Sequence, residues 1–130
     1  MSKKRYYIER LTALIAAIIL LQTLYFKFTA HPDSVYIFSQ MGIEPYGRIG
    51  LGIVELITAL LLLLPRTSFI GGLLGSGIMA GAVFSHLFVL GIQVNNDNGT
   101  LFIMALITFL CCLTILFLKK NDLFLWLKKK

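Results

Sequence analysis

The chain has 130 residues, of which 58% are hydrophobic and only 14% charged, with a net charge of +6. Soluble domains carry about a quarter charged residues, so this composition excludes an ordinary soluble enzyme or binding domain. The charges gather in a few places and leave long neutral stretches between them, the pattern of a polytopic membrane protein built as one domain over residues 1–130.

Four stretches, at 11–28, 48–64, 68–92 and 101–118, match the ~17–25 residues that cross ~30 Å of hydrocarbon. Each is predicted to be a helix, because lipid offers no partner for open backbone groups. Barrel strands alternate in polarity whereas these runs are continuous, so a β-barrel is excluded. The predicted fold is all-α, a four-helix transmembrane bundle. The first stretch opens like a secretory signal, with Lys3, Lys4, Arg5 and Arg10 around the start of LTALIAAIILL. It runs into Phe28-Thr29-Ala30-His31-Pro32, where a signal would have a small-residue cleavage site, so it reads as a retained span.

The longest connection, TAHPDSVYIFSQMGIEPYG at 29–47, comes next. Pro32, Asp33 and Ser34 are helix starters and Gly42 is a stop. Val35, Tyr36, Phe38 and Met41 between them predict a short helix in the outer membrane interface, covering that end of the bundle; an irregular aromatic loop is the alternative. Span two carries Arg48 and, seven residues on, Glu55. The turn Pro65-Arg66-Thr67-Ser68 is short enough to force an antiparallel hairpin, with Thr67 or Ser68 as the cap of span three.

Span three contains GGLLGSGIMAGA. Gly71 and Gly75, and again Gly77 and Gly81, stand four apart, a spacing at which small residues let helices approach closely in lipid. This helix is therefore predicted to pack against two neighbours; room for a ligand is the other use such glycines have. In span four, Cys111 and Cys112 point about 100° apart on a helix, a poor geometry for a disulfide, and read as small buried hydrophobes. Asn98-Gly99-Thr100 has the form of a glycosylation acceptor but reads as a turn. The closing LFLWLKKK reads as an interfacial anchor around Trp126.

Both ends and Arg66 are basic, while the loop QVNNDNG carries no cation and one Asp97. By the positive-inside rule both termini are predicted to be cytoplasmic, in a multi-pass cell-membrane protein. The net +6 then points to anionic lipid headgroups rather than nucleic acid, since no basic groove with interleaved aromatics is present.

Counting ~1.5 Å per residue from the outer helix ends puts Gln22, Glu55 and His86 in one layer, roughly 10 Å deep. Lys27 and Arg48 stand above them at the rim. These five residues form the predicted inward-facing cluster, because ionisable groups inside a membrane cost several kcal/mol to insert and mark functional sites. Lys27 and His86 are the better partners for Glu55, since Arg48 would have to reach against the tilt of helical side chains. The structural alternatives are snorkelling for the two cations and an interhelical hydrogen bond for His86. No spacing of Cys, His and carboxylates supports a metal site, and no glycine-rich phosphate loop follows a strand.

FKFTAHPDSVYIFSQMGIEPYGRIGLGIVELITALLLLLPR, then GAVFSHLFVLGI and the NDNG turn, resemble the DoxX family of small four-helix membrane proteins over nearly the whole chain. The elements of the resemblance are Arg48, Gly52 and Glu55 with their leucine-rich continuation, and Ser85-His86-Leu87. It implies a membrane subunit of a quinone-linked redox system, the family taking its name from a subunit of a thiosulfate:quinone oxidoreductase. A quinone would be the cofactor and a soluble oxidoreductase the partner. Glu55 and His86 would then be catalytic, exchanging protons with the quinone head, while Gln22, Lys27 and Arg48 bind it. Other members, in the MauE group, are linked to disulfide maturation; this chain lacks the paired cysteines of a thiol relay. A non-catalytic assembly protein and a small proton-coupled carrier are the competing readings, the carrier needing a homo-oligomer to enclose a path.

Overall fold

A computed structural model describes residues 2–93 and 99–128, with side chains described as far as residue 120. The expectations for Asp97, Asn98, Trp126 and the closing lysines lie outside the described residues or side chains. Among the described residues the structure is all-helical: α1 (Lys3–Phe28), α2 (Pro32–Gln40), α3 (Tyr46–Leu63), α4 (Ser68–Ser85) and α5 (Thr100–Lys128). A π-helical turn over His86–Leu90 continues α4. α1, α3, the α4–π-turn unit and the segment Thr100–Lys120 are each long and apolar enough to cross a membrane.

The helix ends extend the predicted spans. α1 begins at Lys3 rather than 11 because Ser2 caps it, its Oγ accepting from the Arg5 N–H at 3.2 Å. α5 runs on to Lys128 instead of stopping near 118. The short helix after span one is present as α2: Pro32 occupies its first turn and His31 Nδ1 accepts the Asp33 N–H at 3.1 Å. Gly42, at φ 76°, terminates that segment in a conformation glycine adopts without steric cost.

The bundle is square. α1 packs against α3 and α5, α4 packs against the same two, and α2 lies across one end against α1, α3 and the π-turn. The central seam shows in the buried positions of α1, Glu9, Ala13, Ala16, Ala17, Leu20 and Leu24, spaced three and four apart as one helix face requires. Ile115, Leu62, Ala59 and Cys112 meet them in the core, all 0% exposed. Leu11, Ile18, Ile53, Leu60, Ile70, Leu73, Phe84 and Leu110 point outwards and are exposed, an inside-out distribution suited to lipid.

Two expectations about the α3–α4 hairpin need correction. Thr67 is the N-cap of α4 but its side chain makes no capping bond; its hydroxyl donates to the Leu61 carbonyl at 2.8 Å. Ser68 lies inside the helix and its hydroxyl donates to Glu9 at 2.6 Å. Thr67 finds its partner across the hairpin on α3 and Ser68 finds its partner on α1, so neither hydroxyl is used to cap the helix end. The glycines also divide. A Cβ on Gly71 would lie 2.9 Å from the Leu62 nitrogen, one on Gly72 3.3 Å from the Cys112 carbonyl, and one on Gly75 2.5 Å from Cys112 Sγ. These three let α3 and α5 approach α4. Gly77 and Gly81 do not: a Cβ on either would meet nothing within 4 Å.

Candidate functional site

The α2 end of the bundle holds a cavity of about 640 Å³, within the size range of small-molecule sites. Most of its wall is apolar, from Leu20, Ile37, Phe38, Ile78, Met104 and their neighbours. Gln22 and Lys27 of α1, Glu55 of α3 and His86 of the π-turn also line it, so four of the five residues predicted to cluster share one space. Membrane helices run nearly parallel, which makes residue count a measure of height and brings these positions to one level.

Glu55 is 2% exposed, and Lys27 Nζ lies 3.0 Å from its Oε2. This is a charge contact without hydrogen-bond alignment, for Oε2 accepts no aligned donor among the described residues. A carboxylate so placed retains acceptor capacity towards the cavity, and the ammonium, with three protons, retains donors. The pair ties the last turn of α1 to the middle of α3.

Arg48 stands apart from this pair. Its Nε donates to both oxygens of Glu44, at 2.9 and 3.1 Å, and an Nη donates to the Lys27 carbonyl. The side chain points towards the N-terminus of its helix, as the Cα–Cβ tilt dictates, where Glu44 sits one turn back. Arg48 therefore secures the C-terminal end of α1 and does not line the cavity. His86 does line it but does not meet Glu55. Its Nδ1 is 3.0 Å from the Gly91 carbonyl and its ring packs edge-on to Phe102 at 5.5 Å. A carbonyl only accepts, so Nδ1 donates this bond and carries a proton. The π-turn makes this bond, since Gly91 closes it at φ 81°.

Sequence reasoning missed a second buried carboxylate at the opposite end. Glu9 is 0% exposed and receives Arg10 through two bonds of 2.6 Å, together with the Ser68 hydroxyl. Arg10 also donates to the Leu63 and Leu62 carbonyls at 2.9 and 3.2 Å, satisfying open groups at the end of α3. Lys119 Nζ lies 3.7 Å from Glu9 and donates to the Pro65 carbonyl and to Ser68. The available signal was a single acid among basic residues directly before an apolar run. Cys111 and Cys112 are both buried free thiols. Among the described residues no group of three or more His, Cys, Asp or Glu side chains is placed to hold a metal ion.

Four membrane-length helices with outward apolar faces and buried charge pairs at both ends define an integral, multi-pass membrane protein of the four-helix class. The DoxX-like family model matches residues 10–116, and the chain belongs to that family. No curated protein and no solved structure matches the chain.

Proposed function

We propose that this protein is the membrane subunit of a quinone-linked redox system and holds a quinone head in the cavity at the α2 end. The single observation that carries the reading is Glu55: a carboxylate buried in the wall of a largely apolar cavity, paired to Lys27 yet with an unaligned oxygen left over. A flat ring with polar edges fits such a lining.

The bound quinone would take up two electrons, delivered by a soluble oxidoreductase partner, and two protons. Glu55 and the Nε2 side of His86 are the groups of this chain that would pass those protons. Lys27 would oppose negative charge gathering on a ligand oxygen, and Gln22 would orient the head. Arg48 has no direct part in this scheme; it holds Lys27 in place through the Lys27 carbonyl. In this reading the basic termini lie in the cytoplasm and the cavity in the outer half of the cell membrane.

A second reading, a non-catalytic assembly protein, draws on the way Arg48 and Glu9 are used, each tying two helices together. Binding of a short-chain benzoquinone to protein in nanodiscs separates the two. Loss of binding in Glu55→Gln with the unfolding transition unmoved supports the quinone site. Unchanged binding refutes it, and a lowered transition with no binding change favours assembly.

A further inference from the structure

The cavity has a side. At the turn between them α3 and α4 touch, as Gly71 against Leu62 shows. Ile78, Ala82 and Ser85 recur on the same α4 face as Gly71, at seven, eleven and fourteen residues from it. At their level that face borders the cavity: all three line it, and so do Leu51 and Glu55 from α3. At the α2 end α3 and α4 thus both border the cavity, which α1, α2 and α5 line as well.

Gly77 and Gly81 mark an edge of this cavity. Both line the cavity and both are exposed. They stand on the α4 face that carries Ile70, Leu73, Leu74 and Phe84, all exposed apolar side chains of the lipid-facing surface. A Cβ at either position would meet nothing within 4 Å, so where the cavity borders that surface its α4 wall carries no side chain. At its other end the cavity reaches His31 and Asp33, a half-exposed polar rim.

We infer that the cavity is filled sideways from the bilayer, by a tailed amphiphile whose polar head seats at Lys27 and Glu55 and whose apolar chain leaves across Gly77 and Gly81 of α4. The buried polar pair and the apolar, side-chain-free exit match the two halves of such a molecule. Lys27 favours an anionic or hydrogen-bond-accepting head. This rests on the cavity being a ligand site, and it holds for any head of that chemistry, quinone or not.

The probe is a fatty acid with an alkyl diazirine close to its carboxyl end, incorporated in nanodiscs with the full chain and photolysed. Diazirines on alkyl chains label carboxylates efficiently, so Glu55 reports the head position. The expected result is a Glu55 adduct in the wild type that falls to background in Gly81→Leu and Gly77→Leu. Labelling of the exposed lipid-facing side chains should stay unchanged in both. A wild type without the Glu55 adduct overturns the inference. Equal Glu55 labelling in the leucine variants also overturns it, and moves entry to the His31–Asp33 rim. Gly77→Ala, the smallest added side chain, guards against a folding artefact: its unfolding transition must match or exceed the wild type's. A Glu55 adduct in a protein that binds no benzoquinone would sink the quinone reading and leave the side entry standing.

Discussion

Replacing Gly75 by alanine tests whether α4 is held at the distance its glycines imply. The new Cβ would sit 2.5 Å from Cys112 Sγ, nearly 1 Å inside ordinary contact, and Cys112 is wholly buried on α5. Overpacking of this kind costs about 1–3 kcal/mol, against which alanine returns about 0.5–1 kcal/mol over glycine within a helix. Gly75→Ala alone should therefore destabilise by about 0–2.5 kcal/mol, centred on about 1 kcal/mol. Cys112→Ala alone loses the packing of one sulfur, about 1 kcal/mol. With both changes the nearest neighbours become Thr58 Cγ2 at 3.5 Å and Cys112 Cβ at 3.7 Å, which is ordinary contact. The double variant should then lie close to the wild type, with a coupling of about 1–3 kcal/mol in its favour. Equilibrium unfolding in mixed micelles, titrated with denaturing detergent and followed by circular dichroism, measures all four species. Additivity within about 0.5 kcal/mol would refute the close approach of α4 to α5.

Two further outcomes follow from the buried charges. Glu9→Ala strips Arg10, Lys119 and Ser68 of their shared acceptor, and the loss should reach roughly 3–5 kcal/mol in the same unfolding assay. Glu9→Gln keeps the shape and one acceptor oxygen and should lose clearly less; equal losses would mean that the negative charge, rather than shape or the remaining acceptor, carries the network. Lys27→Met isolates Glu55 and should destabilise by a similar amount, whereas Lys27→Met combined with Glu55→Leu should recover most of it. A double variant as unstable as the single would show that the pair is not the unit that matters.

How much was legible in the sequence differs from residue to residue. The layer containing Gln22, Glu55 and His86 followed from counting along nearly parallel helices, and the cavity lining joins them. Side-chain tilt turned Arg48 back towards Glu44 and left Lys27 and His86 as partners for Glu55, of which only Lys27 meets it. Glu9 was lost because an acid beside Arg10 in a basic segment looks like part of a solvated tail. Only the Pro65–Ser68 turn, folded against α1, takes it out of water.

The sequence alone determined four apolar helices, their antiparallel hairpin and the family, and left the segment after span one open between a short helix and a loop. Insertion into lipid is decided segment by segment, by the side chains and backbone of that segment alone. Tertiary structure decided what each polar group meets and what each glycine is for. Gly71 and Gly75 share their spacing with Gly77 and Gly81, yet one pair is pressed against α3 and α5 and the other borders open space. Periodicity fixes which residues share a face; it does not fix which neighbour that face meets or how far the neighbour has diverged, because that depends on the docking of helices distant in the chain.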